Sequence, residues 1–161
     1  MADSPEVSDG LARLLEGLQP LVAAQPVMVG IDTGGAWLAQ RLYAGLGLTS
    51  PLSTLNIGFH RDDFQRIGLH PGIGPSDLRS PIDDRVVVLV DDVLHTGRTV
   101  RAAMNELFDF GRPAAIRLAV LVDRGGRELP VAADFVGLHR QLPPGGSIKL
   151  TGPDCLALET R

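Results

Sequence analysis

Val86-Val87-Val88-Leu89-Val90-Asp91-Asp92-Val93-Leu94-His95-Thr96-Gly97-Arg98-Thr99 is the stretch whose reading decides the fold. Five apolar residues end in two adjacent carboxylates. A small, hydroxyl-rich turn follows, and a helical pattern then begins at Val100, Ala103, Met104 and Leu107. An unbroken apolar run of this kind suits a parallel strand buried on both faces, and open α/β sheets place ligands at the carboxyl ends of such strands. The turn Thr96-Gly97-Arg98-Thr99 offers backbone N–H groups at a helix N-terminus, two hydroxyls and a guanidinium, a set that suits a monoester phosphate. Asp91 and Asp92 are placed to accept hydrogen bonds from vicinal sugar hydroxyls. A phosphate cradle beside a diol clamp describes a seat for ribose 5-phosphate. The alternative is a buried strand whose acids only cap the next helix.

Outward from this stretch, the chain alternates strands and helices. Leu11, Leu14, Leu15 and Leu18 recur at helical spacing, which predicts a helix from about Ser8 to before Pro20, with residues 1–7 as a frayed tail. Val27–Ile31 reads as a short strand. The helix after it carries Leu38, Ala39, Leu42 and Leu46 on one face, with Trp37 and Tyr43 packing on it. Leu52–Phe59 alternates as a strand does. Residues 65–84 hold Gly68, Pro71, Gly72, Gly74, Pro75 and Pro81, the composition of a flexible loop. Val86–Val90 is the central strand, Thr99–Phe110 its helix, and Ile116–Val122 a further strand. Phe135–Val136, Ile148–Leu150 and Leu156–Leu158 are short strands, the last two at a sheet edge. This order predicts one domain over residues 1–161, an α/β fold with a mostly parallel central sheet flanked by helices.

Composition narrows the classes. The 161 residues are 44% hydrophobic and 21% charged, a globular balance with enough chain for a sizeable core. No apolar stretch approaches the roughly 18 residues of a membrane span. The acidic start, Met1 to Glu6, lacks the pattern of a signal peptide, and the single Cys155 suits a reducing compartment, so a cytoplasmic location is expected. A formal charge of −4 disfavours nonspecific binding of nucleic acid by the whole surface.

Three further segments carry candidate chemistry. Asp32-Thr33-Gly34-Gly35 joins a strand to a helix and reads equally well as an anion-binding loop or as a tight turn with an N-cap. His60-Arg61-Asp62-Asp63-Phe64 taken alone is a turn, yet Arg61 stands at the mouth of the glycine-rich stretch, where it would close over a departing anion. Asp123-Arg124-Gly125-Gly126-Arg127-Glu128-Leu129-Pro130 is an exposed polar turn at the same edge of the sheet.

The Val86–Thr99 block resembles the phosphoribosyl-pyrophosphate (PRPP) signature of type I phosphoribosyltransferases: an apolar strand, two acids, two apolar residues, one variable position, then Thr-Gly-x-Thr. With Thr33-Gly34-Gly35, Arg61-Asp62-Asp63, Gly111-Arg112-Pro113 and the Asp123–Pro130 block, the resemblance narrows to the pyrimidine operon attenuation regulators that are also uracil phosphoribosyltransferases. It spans about residues 27 to 137. It implies the type I phosphoribosyltransferase fold, with a small hood and a flexible loop, and the reaction of uracil with PRPP to give UMP and pyrophosphate. Asp91, Asp92 and Arg61 would be catalytic. His95, Thr96, Gly97, Arg98 and Thr99 would hold the 5-phosphate, and Thr33, Gly34 and Gly35 the pyrophosphate. Asp123, Arg124, Gly125 and Gly126 would read the base. Mg²⁺ would arrive with PRPP, held by substrate and by Asp91 and Asp92, with no dedicated protein cage. A homo-oligomer, a dimer or higher, is expected.

The resemblance also implies an alternative role, an RNA-binding attenuator of pyrimidine biosynthesis that takes UMP or PRPP as effector. The chain departs from the pattern at Asp32, where the family has His or a basic residue, at Gly126, where it has His, and at His95, where it has an aromatic. The departures at Asp32 and Gly126 also suit a catalytically weak nucleotide sensor. The Lys-Asn and Pro-Thr-Ser signature beyond Gly137 is missing. The first helix holds only Arg13 against Glu16. Arg13, Arg140 and Lys149 are left as the cations for RNA, so specific leader-RNA binding is expected to be weak.

Overall fold

The computed structural model describes residues 2–58 and 76–161. Arg61 and residues 65–75 of the expected flexible loop lie outside them. Strand β3 (Val86–Leu94) is the centre of a five-stranded sheet in which it pairs in parallel with β1 (Val27–Ile31) and β4 (Ala115–Asp123). β2 (Ser53–Leu55) and β5 (Phe135–His139) complete the order β2-β1-β3-β4-β5, every pairing parallel.

Side chains alternate across a strand, so the apolar run of β3 feeds two cores. Val88 and Val90 face a cluster containing Leu11, Leu14 and Leu18 of helix α1 (Pro5–Leu18) and Leu38, Ala39 and Leu42 of α2 (Gly34–Leu46). Val87 and Leu89 face Val100, Ala103 and Leu107 of α3 (Arg98–Phe110) on the other side. Burying each such leucine or valine is worth about 1.5–3 kcal/mol, and helices on both faces exclude water from the strand as its sequence requires. No helix among the described residues is long and apolar enough to cross a membrane.

Several expectations are corrected. Residues 2–7 are not a frayed tail: Ser4 caps α1, Pro5 starts it, and Val7 is fully buried. Asp3 accepts from the Arg41 guanidinium at 3.2 and 3.3 Å and from the Leu156 N–H at 2.8 Å, while Ser4 N–H donates to the Leu156 carbonyl. Those anchors lie far along the chain, beyond the reach of a local pattern. The end of the expected flexible loop is also tied down. Asp77 exchanges backbone hydrogen bonds with Thr54, and Ile82 is buried. β2 is shorter than Leu52–Phe59, and β3 continues through both acids to Leu94. Finally, β6 (Ile148–Thr151) and β7 (Ala157–Thr160) do not extend the sheet edge but pair with each other as an antiparallel hairpin. Leu150 and Leu156 bury the hairpin against the α1–α2 side of the core. At Gly152 the close approach of Trp37 leaves no room for a Cβ, which would lie 2.9 Å from Cε3 of that indole.

Candidate active site

The carboxyl ends of β1 and β3 meet the start of α2, and the β6 strand closes the space above them. The result is a cleft of about 780 Å³ lined by Thr33, Gly34 and Trp37, by Asp91, Asp92 and Val93, by Thr99, and by Ser147, Ile148, Lys149 and Leu150. A smaller hollow of about 50 Å³ adjoins it, sharing Asp91, Val93 and Thr99 and adding Leu94, His95, Thr96, Gly97 and Val100. The two acids and the Thr96, Gly97 and Thr99 positions therefore border neighbouring hollows that share Asp91, Val93 and Thr99.

The two acids are held by their own backbone. Asp91, 4% exposed, accepts from the Asp92 N–H at 2.9 Å, and half-buried Asp92 accepts from the Val93 N–H at 2.9 Å. At Gly97 the backbone has φ +96°, a left-handed conformation that favours glycine, and this bends the chain into the N-terminus of α3. Thr96 Oγ1 accepts from the Arg98 N–H at 3.2 Å, so that amide is turned inward to the loop.

The structure separates residues that the sequence grouped. Gly34 lines the cleft, and a Cβ there would lie 2.3 Å from Asp92 Oδ2. Gly35 does not line it; its missing Cβ would lie 2.5 Å from the Val90 carbonyl oxygen, so this glycine seats α2 on β3. Arg98 stands outside the concavity, exposed and ion-paired with Glu128 at 3.0 Å. Asp123, Arg124 and Gly125 line a different cavity of about 500 Å³, together with Arg127, His139, Arg140 and Gln141. Gly126 turns toward the His95–Thr99 turn, where a Cβ would meet Cδ2 and Nε2 of His95, both at 2.9 Å. The bare position at 126 is thus filled by the imidazole of residue 95.

Asp123 is strongly engaged. Burial works to raise its carboxyl, but the hydrogen bond from Arg127, the Gly125 N–H and the charges of Arg127 and His139 outweigh it and hold the group below the ordinary carboxylate value. Asp3 is lowered chiefly by its hydrogen bond from Arg41.

Sequence reasoning missed the β6 wall, because the hairpin reaches the cleft only through tertiary packing. Its one legible signal is Lys149, the only lysine in the chain. Trp37 packs against the core as expected and also lines the cleft. Among the described residues no cluster of three or more His, Cys, Asp or Glu is placed to hold a metal. The donors present, two aspartates, suit Mg²⁺, which binds through one or two carboxylates plus substrate phosphates and keeps several waters.

Residues 2–144 match the family model described as phosphoribosyl transferase domain. A protein named "Bifunctional protein PyrR" from Nitrosococcus oceani is 55% identical over 155 residues, covering 92% of this chain and 88% of that protein. One of the same name from Pseudomonas paraeruginosa is 48% identical over 161 residues, covering 98% and 95%. Among solved structures, a purine phosphoribosyltransferase from Pyrococcus horikoshii superimposes with a TM-score of 0.62 at 25% identity, over 84% of this chain and 83% of that one.

Proposed function

Because the chain belongs to the phosphoribosyltransferase family, and within it to the group of proteins named bifunctional PyrR, we propose that it transfers ribose 5-phosphate from PRPP to uracil. The N1–C1 bond of UMP forms as the bond from C1 to pyrophosphate breaks, and the N1 proton leaves to solvent. One observation carries this reading: Asp91, Asp92, Thr33, Gly34 and Thr99 line one cleft, and Thr96 and Gly97 line the hollow beside it.

Asp91 and Asp92 accept the ribose hydroxyls and stabilise positive charge developing at C1. The turn from His95 to Thr99 holds the 5-phosphate through its Thr96 and Gly97 amides and the Thr99 hydroxyl. Thr33 and Gly34, with Arg61, take the pyrophosphate. Gly35 serves this loop by packing, and Arg98 serves the cradle through its pair with Glu128. Mg²⁺, held by Asp91 or Asp92 and the substrate, would supply charge neutralisation for the diphosphate. For the base, the geometry favours Trp37 and the Ile148–Leu150 wall over Asp123–Gly126, because only that wall lines the cleft of the two acids. The protein thus contributes positioning and fixed electrostatics, which account for much of the catalysis in such sites. We place this activity in the cytoplasm, in a homo-oligomer.

Regulation through a pyrimidine leader RNA is the second reading, favoured by the word bifunctional in the relatives' name. Arg13 donates to the Gly137 carbonyl at 2.9 Å, and Arg140 is ion-paired with Glu6. Two of the three expected RNA cations are therefore engaged within the chain. Product formation from PRPP with uracil, cytosine, hypoxanthine and guanine tests the enzyme reading, which requires UMP as the main product. Leader-RNA binding at two salt concentrations tests the other.

A further inference from the structure

A loop that binds a phosphate must aim backbone N–H groups at it, and in a trans peptide the N–H points opposite to the carbonyl of the same unit. Pinning the carbonyls of the His95–Thr96 and Thr96–Gly97 peptides from behind therefore drives the Thr96 and Gly97 amides forward into the cradle. Both carbonyls are pinned, and by one segment. The Arg127 Nη1 donates to the His95 carbonyl at 2.9 Å, and the Glu128 and Leu129 N–H groups donate to the Thr96 carbonyl at 2.9 and 3.1 Å.

The guanidinium is itself held on two other sides. Its Nη2 meets Asp123 Oδ2 at 2.7 Å, and its Nε donates to the Val131 carbonyl at 2.9 Å. Val131 in turn packs so closely behind Gly97 that a Cβ there would lie 2.4 Å from Cγ2 of the valine. One planar fork thus joins a carboxylate at the end of β4, the return of the loop and the back of the phosphate turn. A lysine, with a single point charge, cannot span these three acceptors.

From this arrangement we infer that Arg127 is a positioning residue for the 5-phosphate seat, acting through the His95 carbonyl, beside the Glu128 and Leu129 amides that hold the Thr96 carbonyl, without touching the substrate. The inference rests on the reading of residues 95–99 as that seat. It assigns the Asp123–Val131 loop to the cradle's support, where the sequence suggested base recognition.

The test is direct binding of ribose 5-phosphate by calorimetry, with steady-state KM values for PRPP and uracil, on the full chain and on Arg127→Gln and Arg127→Lys. Losing the aim of one or two amides toward an anion should weaken ribose 5-phosphate about 10- to 100-fold. KM for PRPP should rise alongside, KM for uracil should stay within about threefold, and Arg127→Lys should fail to rescue. Asp123→Asn, which leaves both carbonyl contacts in place, should give a smaller loss of the same sign. Thermal unfolding reports whether each variant is folded. A parent protein that binds no ribose 5-phosphate overturns the reading beneath the proposal. A parent that binds, with both Arg127 variants binding equally well, overturns the proposal alone. Equal losses for PRPP and uracil in step with Tm would reduce Arg127 to a stability role and also overturn it.

Discussion

Adjacent glycines at the start of α2 should respond oppositely to the same methyl group. In Gly34→Ala the new Cβ falls 2.3 Å from Asp92 Oδ2 and 2.8 Å from its Cγ, about 1 Å inside ordinary contact. The carboxylate is a side-chain end, so it yields by rotating away, and the backbone keeps its path. A catalytic group displaced by about 1 Å costs on the order of a hundredfold in rate, so kcat/KM for PRPP should fall roughly that far with Tm nearly unchanged. In Gly35→Ala the Cβ meets the Val90 carbonyl oxygen at 2.5 Å and the Asp91 Cα at 3.0 Å. Backbone atoms of a central strand cannot rotate away, so α2 must lift from β3. Overpacking of this kind costs about 1–3 kcal/mol, which for a chain this size lowers Tm by roughly 2–12 °C. Differential scanning calorimetry and a UMP-forming assay read the pair. A fully active Gly34→Ala, or a Gly35→Ala with the parental Tm, would refute the geometry from which both effects are argued.

Replacing Asp91 and Asp92 together by Asn keeps their size and removes their charge, and should cut turnover at least a hundredfold while leaving circular dichroism unchanged. Asp3→Ala removes the acceptor of Arg41 and of the Leu156 N–H and should cost about 1.5–3 kcal/mol in urea unfolding. Because the folded Asp3 carboxyl titrates below its ordinary value of about 3.9, its stabilisation is fully present above that value and is lost as pH falls through the lower folded one. The gap between parent and variant should therefore be constant above about pH 5 and close below about pH 4; a gap that widened in acid would contradict the pairing. Gly126→Ala places a side chain at φ +77° and 2.9 Å from the His95 ring, so it should lose about 1–2 kcal/mol and disturb the cradle, read as a higher KM for PRPP.

What could be read from the chain is what local pattern controls. The five apolar residues before Asp91 announce a strand buried on both faces, and the structure has that strand at the centre of the sheet with the Thr96–Thr99 turn at its carboxyl end. What could not be read depends on partners remote in sequence. Asp3-Ser4-Pro5 carries a capping signal, but whether the tail is ordered was decided by Arg41 and Leu156. Ile148 and Leu156 look like edge strands until Trp37 and Gly152 fix the hairpin over the cleft. Arg98 sits inside the motif and invites a phosphate role, yet Glu128 claims its guanidinium, while Arg127, outside the motif, reaches the His95 carbonyl behind the turn. Residue type told which chemistry was available; only packing told which arginine braces the turn.

The most direct test of the central claim is a single assay of product formation from PRPP and uracil by the purified chain, with Asp91→Asn/Asp92→Asn as the control. The parent protein should release pyrophosphate only with uracil present and form UMP in equal amount, and the control should do neither. No UMP from the parent protein, or equal turnover by the control, would contradict it.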